Sequence, residues 1–409
     1  MARLPYPLRA LAHRDYRLFW LGQLVSRVGT WMQSVAQSWL VLELTGSPLK
    51  LGLISALQFA PVLIFAFVGG VASDRMRKRR LIVATQVALM IQAALLALLA
   101  GSGHVEYWHV AILAAVYGVA NSIDMPARQA YVVELVGKED LMSAIALNSA
   151  VFNAARVVGP AVAGLLIAAW GVTTAFALNA ISFVAVLVAL LAMRTEGAPA
   201  PRKPGSVVSE VAQGLQYATR TPPVALVLGL LLFVSLFVMN FNVVVPLFAR
   251  DVLAQGAHGF GLLMASLGAG AMLGALAVAG RQQRPSTTVV VATAAIASIG
   301  VASLGFVRHF PLAAAVLVAT GCAQIVFTSS VNSTIQLAVP DAMRGRMMSL
   351  YVVVFVGVTP FGAFVTGWLA EHFGIALACT VNGTMGLIAI ASLTYLRRNP
   401  STLPAPSAG

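Results

Sequence analysis

Charge is what this chain has least of: 10% of its 409 residues are Asp, Glu, Lys or Arg, against 59% hydrophobic, and the mean hydropathy is +0.88. Soluble domains carry about a quarter charged residues, so a water-soluble globular protein is excluded and a membrane protein remains. Cysteine is nearly missing too. Cys322 and Cys379 both sit inside apolar runs, which excludes a disulfide framework or a thiolate metal site and leaves them as small packing residues. No GxxxxGK(S/T) loop occurs, so ATP hydrolysis by this chain has no support, and no catalytic His, Cys or Ser arrangement stands out. No enzyme activity, metal or cofactor is expected. Acidic residues number 13 against 26 Lys and Arg, a net charge of +13. Those cations flank apolar segments and suit an anionic leaflet, so no nucleic-acid partner is needed to explain them.

What is abundant is apolar sequence in runs of roughly 20 residues, each long enough to cross about 30 Å of hydrocarbon as a helix. Twelve runs are counted: Leu18–Leu42, Leu49–Ala72, Leu81–Ala100, Val110–Pro126, Leu141–Trp170, Thr173–Met193, Ala225–Phe248, Phe260–Ala279, Val289–Phe306, Leu312–Gln336, Met347–Ala370 and Ile375–Leu396. The expected fold class is an all-α integral membrane protein with about twelve transmembrane helices. The first run is too long for a signal-peptide core and no clear cleavage site follows, so it is expected to stay in the mature protein. Lys and Arg tend to remain in the cytoplasm. Twenty-one of the 26 precede span 1 or follow an even-numbered span, from Arg3, Arg9, Arg14 and Arg17 to Arg397 and Arg398. Lys50, Arg250 and Arg308 fall on the other side, and Arg27 and Arg156 lie inside spans. Both termini are expected in the cytoplasm.

After span 6 comes "TEGAPAPRKPGSVVSEVAQGLQYATRTPP", Pro-rich at first, then with Val207, Val208, Val211 and Leu215 at the spacing of a short amphipathic helix on the membrane surface. The expected division is a six-helix bundle over 1–194, a cytoplasmic linker over 195–221, a second six-helix bundle over 222–398 and a disordered tail over 399–409. The halves are alike. "LNSAVFNAARVVGPAVAGLLIAAWG" from Leu147 and "LYVVVFVGVTPFGAFVTGWLAEHFG" from Leu350 align without a gap, matching Gly159 with Gly362, Gly164 with Gly367 and Gly171 with Gly374. Repeated halves are the usual construction of secondary transporters, with a substrate site near mid-membrane between them.

A polar side chain inside lipid is unfavourable unless it faces protein or water, so helical spacing shows which face turns inward. Span 1 carries Gln23, Arg27, Thr30, Ser34 and Gln37, with Trp31 beside them; span 4 carries Tyr117, Asn121, Asp124 and Arg128. Span 7 carries Ser235, Met239 and Asn242, and span 10 carries Gln324, Thr328, Asn332 and Gln336. Each set falls on one helix face. These are the first and fourth spans of each half, as a central polar cavity requires, although hydrogen bonding between packed helices would use such residues too. Span 5 puts Ser149, Asn153 and Arg156 on one face. Arg156 can pair with a carboxylate, with carbonyls freed by Pro160, or with an anionic ligand; the same choice holds for Arg27.

With these halves and "GGVASDRMRKRR" after span 2, the chain resembles the major facilitator superfamily over almost its whole length. The loop is similar to the family's signature between spans 2 and 3, with Gly70, Asp74, Arg75 and Lys78 in place and departures at Ala72 and Arg77. The resemblance implies the major facilitator fold, and a cytoplasmic latch in which Asp74 meets the cationic start of span 11 at Arg346 and the loop's Lys78 or Arg79 pairs with Asp124, near Arg128. "RVVGPAVAG" is similar to the antiporters' span 5 motif, with Gly159, Pro160 and Gly164 present and Ala163 replacing a glycine. "RDYRLFWLGQLVSRVGTWM", "DMPARQAYVVELV" and "VPDAMRGRMMSLY" together resemble the bacterial group of enterobactin exporters and drug effluxers. That implies a bacterial inner-membrane exporter of a small siderophore-like, drug-like or other amphiphile, monomeric among membrane lipids and driven by protons. A lipid or lysophospholipid flippase, or a facilitator without proton coupling, shares the same fold. Coupling needs an acid within the membrane, and the candidates are Asp124 and Glu43; the later spans have no central acid. Two cavity arginines favour a neutral or anionic amphiphile over an organic cation.

Overall fold

The computed structural model describes the backbone of residues 6–199, 207–279 and 285–398, and their side chains except at 6–7, 66–74, 207–211, 341–342 and 398. All regular structure among the described residues is helical. After a short turn at Tyr6–Ala12 come α1 (Arg14–Thr45), α2 (Pro48–Arg75), α3 (Lys78–Gly101), α4 (Tyr107–Val136), α5 (Leu141–Trp170), α6 (Val172–Ala192) and α7 (Val207–Arg220). Then follow α8 (Pro222–Phe237), α9 (Phe241–Leu247), α10 (Ala257–Ala279), α11 (Thr287–Leu304), α12 (Phe310–Ala338), α13 (Asp341–Gly357), α14 (Thr359–Phe373) and α15 (Ile375–Arg398).

Eleven segments among the described residues are long and apolar enough to cross a membrane, α8 onward to Val252 counting as one and α13 with α14 as another. The remaining long helix, α1, has 32 residues, ample length for a span, but Gln23, Arg27, Gln33 and Gln37 lower its hydropathy. Its three glutamines are buried, and α1 packs on α5 and α6. A polar helix is tolerated in a bilayer in that way, with its amides turned to protein.

Two spans expected to be continuous are broken. The seventh stops at Phe237, resumes at Phe241 and ends in a π-helical turn at Phe248–Val252. Pro246 has no N–H for the Asn242 carbonyl one turn earlier, and Ser38 Oγ of α1 donates to it instead at 3.5 Å. The eleventh span breaks at Val358, between Gly357 and Pro360, two residues that disfavour a helix interior.

Both halves pair their helices in one plan: α2 with α4 as α10 with α12, α3 with α6 as α11 with α15, α3 with α4 as α11 with α12. The aligned glycines carry the repeat to atomic detail. Gly171 and Gly374 close their helices at φ 78° and 80°, where other residues are disfavoured. A Cβ on Gly159 would lie 2.5 Å from that of Trp31 on α1, and one on Gly362 would meet the Leu236 carbonyl of α8. Gly164 faces Gly261 of α10 and Gly367 faces Gly52 of α2, an added Cβ falling 3.0 and 3.1 Å from the partner's Cα. The halves thus touch backbone to backbone along two seams, both near the helix ends remote from the termini. Ser47 Oγ and the Leu49 amide donate to Glu371 there at 2.8 and 3.1 Å, and Arg250 Nη2 to the Gly46 carbonyl at 3.2 Å.

Residues after α6 are strapped to the first half. The Asp15 carboxylate accepts from the Arg194 amide at 2.9 Å and from the Thr195 amide and hydroxyl, each at 2.8 Å. Glu134 accepts from the Ala198 amide at 2.8 Å and pairs with Lys78 at 2.7 Å. Farther on, α7 lies against α13 and α8, with Leu215 55% exposed. Val207, Val208 and Val211 have side chains outside the described set, and the Pro-rich 200–206 and the tail 399–409 lie outside the described residues.

Candidate functional site

The inward rows of α1 and α4 meet. Gln23, Ser26, Arg27 and Thr30 of α1, Gln86 of α3 and Tyr117, Asn121, Asp124 and Arg128 of α4 line one small cavity of about 30 Å³. Asp124 is its centre, 5% exposed, accepting from Thr85 Oγ1 at 2.7 Å, from Gln86 Nε2 at 3.1 Å and from Arg128 Nε. Arg128 also lies over the Phe19 ring, 5.9 Å from its centre. Three buried polar atoms around this cavity have no protein partner: Gln23 Nε2, Gln86 Oε1 and Arg128 Nη1. The space is about one water's share of liquid volume, so hydration can serve them.

The expected pairing of Asp124 with Lys78 or Arg79 is corrected. Lys78, the first residue of α3, pairs with Glu134 and donates to the Ala198 carbonyl, while Arg79 donates to the Met193 carbonyl. The reason is depth. Thr85 and Gln86, about two turns farther along α3, stand level with Asp124, whereas Lys78 stands level with the end of α4; Arg128 is the cation four residues along Asp124's own helix. Arg346 donates to Met343 Sδ at 3.1 Å on its own helix, and among the described residues nothing joins it to Lys78 or Asp124. Arg75 is exposed. Gly70 and Asp74 have side chains outside the described residues, so the latch contact falls outside them too. Glu43, near the end of α1, is exposed, accepts from Trp39 Nε1 at 2.6 Å, and does not line the Asp124 cavity.

A second cluster lies between the halves. Trp31 of α1 and Phe152 of α5 meet edge to face at 5.8 Å, with the Arg27 guanidinium 6.0 Å from the Phe152 ring and the Arg156 guanidinium 5.8 Å from the Trp31 ring. Arg156 Nη2 donates across the halves to Gln324 Oε1 of α12 at 3.1 Å. The acceptor is a neutral side-chain amide, which was not among the partners expected for Arg156 from the sequence, and among the described residues no carboxylate forms an ion pair with it. Asn153 donates to the Ser149 carbonyl at 2.9 Å, and its Oδ1 is buried without a partner. Thr328 and Asn332 continue the Gln324 row, half-buried. Met239 accepts from Ser235 Oγ at 3.8 Å, and Asn242 offers its carbonyl to Ser38. Ser34 is half-buried and Gln37 buried. The Gly159, Pro160 and Gly164 motif lets α5 lie on α1 and α10, and the helix runs unbroken through Pro160.

Sequence reasoning missed a chain of buried amides. Gln33 donates to Gln92 at 2.9 Å and accepts from Asn179 at 2.6 Å, tying α1, α3 and α6 together. The signal was available, since a glutamine or asparagine within an apolar run must turn inward in spans 3 and 6 as in span 1.

Two repeated six-helix halves, joined by glycine seams and lined between by arginine and amide side chains, define a membrane transporter of the major facilitator fold, not an enzyme. The chain belongs to the major facilitator family described as transmembrane secretion effector, whose profile matches residues 6–405. It is 27% identical over 363 residues to the multidrug efflux pump Tap of Mycolicibacterium fortuitum, covering 86% of this chain and 88% of that one. It is 24% identical over 389 residues to the staphyloferrin A transporter of Staphylococcus aureus, covering 90% and 92%. A POT family transporter crystallised with a thioalcohol-conjugated peptide has the same fold, with a TM-score of 0.76 at 13% identity over 94% of this chain and 96% of that one.

Proposed function

We propose that the protein is a secondary transporter exporting small amphiphilic molecules by alternating access, with both termini in the cytoplasm and proton antiport through Asp124. Relatives named as a multidrug efflux pump and a siderophore transporter support export. The observation that carries the reading is the polar, aromatic-walled contact of Arg156 with Gln324 between halves whose glycine seams are tight near the ends remote from the termini. With the termini inside the cell, those seams face outward and the cavity loads from the cytoplasm. Asp124 suits coupling because it is the one acid among the described residues that is buried within a span. A proton on it would weaken its hold on Arg128 and so alter the charge felt by Arg27 across the same cavity. Gly70, Asp74, Arg75 and Arg346 would then close the cytoplasmic end in the opposite state, while Lys78 and Arg79 hold the strap after α6.

Inverted vesicles with an acidified interior test this. Internal pH is followed with a dye while amphiphilic cations, catecholate-type anions and lysolipids are added in turn, with native protein and with Asp124→Asn. Proton release on addition of at least one class, lost in the variant, is the expected result. Entry of a compound with no proton release would remove antiport; entry of none would remove export.

A further inference from the structure

We infer that Arg156 is the anion-binding group for the carried molecule, and that an aromatic acid binds by taking Arg156 away from Gln324. This rests on the export reading above and names the substrate class for the same cavity. Among the described residues, the two buried cations of the first half have carboxylates, Lys78 with Glu134 and Arg128 with Asp124, and Arg27 shares the cavity of Asp124. Arg156 stands near the middle of α5, and its one polar partner among the described residues is the neutral Gln324 oxygen at 3.1 Å, from the opposite half. A single amide acceptor holds a guanidinium without neutralising it, whereas a carboxylate or sulfonate makes two parallel charge-assisted bonds. An arriving acid therefore outcompetes Gln324.

The surroundings select the rest of the molecule. The Trp31 ring lies 5.8 Å from the guanidinium and Phe152 meets Trp31 edge to face, 40% exposed, an apolar corner against which an aromatic ring can rest. One turn before Arg156, Asn153 is 9% exposed with its Oδ1 unpartnered, an acceptor for a hydroxyl or N–H beside the acid. Binding in this way has a conformational consequence. The Arg156 to Gln324 bond joins α5 of one half to α12 of the other, so a substrate that takes Arg156 loosens a cross-half tie as it loads.

Three probes with one aromatic body test the inference: naphthoate, naphthylmethanol and naphthylmethylammonium, titrated by calorimetry into the purified full-length protein. Naphthoate is expected to bind at least about tenfold more tightly than the ammonium, the scale of one charge-assisted contact. Arg156→Gln should abolish that preference and Arg156→Lys should keep part of it. Gln324→Leu, which leaves the arginine in place and removes its competitor, should tighten naphthoate alone, and it serves if the arginine variants do not fold. Equal affinity for acid and ammonium, no binding of any probe, an intact preference in Arg156→Gln, or weaker naphthoate binding in Gln324→Leu would each overturn the inference. Proteoliposome flux of the same probes separates the two readings. A charge preference in binding with no probe moved removes export and keeps the anion site; equal movement of all three keeps export and removes the site.

Discussion

Among the described residues three charged side chains of the first half are buried, Lys78, Asp124 and Arg128, and none of the second half is; the second half's buried polar groups are Ser235, Asn240, Ser298, Thr320, Gln324, Ser330, Thr366 and Asn382. The apolar cores differ to match. One cluster runs through the second half and on into the part of the first half remote from the termini, while a separate cluster around Tyr16, Phe19, Ile82, Tyr131 and Phe183 belongs to the first half alone. Between the first half's two clusters lies the amide chain of Gln33, Gln92 and Asn179. Helix order and seam geometry are shared because glycines at matched positions fix the backbones, so the interiors are free to diverge. The buried charge lies in the first half, and the second half offers neutral acceptors such as Gln324.

The sharpest way to break this contrast is Asp124→Ala. It leaves Arg128 buried without its partner, and breaking a buried pair from one side costs about 3–5 kcal/mol, which a large drop in Tm in detergent would register. The double variant Asp124→Asn with Arg128→Gln should recover most of that Tm without recovering proton-linked transport. Overpacking the seams comes next. Gly164→Leu and Gly52→Leu should each cost roughly 1–3 kcal/mol and raise thiol labelling of a cysteine placed at Ser47. Equal effects are expected because the seams are equivalent; a large inequality would argue against the repeat as the organising geometry.

Gln33→Leu strips partners from Gln92 and Asn179 and should destabilise by about 1–3 kcal/mol. Asn382→Val in the second half, whose amide donates to Thr366 Oγ1 at 2.9 Å, should cost only about 0.6 kcal/mol, the average for hydrogen bonds between membrane helices. A reversal of that order would erase the distinction between the two interiors. The last effect is local: Glu134→Gln keeps an oxygen for the buried Lys78 and the Ala198 amide but removes the charge, and should speed tryptic cleavage at Arg202.

The helices and their repeat were legible because apolar runs of span length and three glycines in register survive without any knowledge of contacts. The breaks near Met239 and at Val358 were not, since a proline that ends one helical ladder can be served by a neighbouring span, as Ser38 serves Asn242. At the site, helical spacing brought the Gln23 to Thr30 row and the Tyr117 to Arg128 row to one cavity, and Arg156 inward to Gln324. Spacing could not give depth along neighbouring helices. The match of Asp124 to the loop cations came from the family resemblance; spacing put Arg128 on the same face as Asp124 but could not show Thr85 and Gln86 level with it.

The most direct test of coupling through the buried charge of the first half is proton release from acidified inverted vesicles on adding a carried compound, for native protein, Asp124→Asn and Asn382→Val side by side. Release is expected from the native protein and from Asn382→Val and is expected to vanish in Asp124→Asn. Release that persists in Asp124→Asn, or that vanishes equally in a well-folded Asn382→Val, would contradict it.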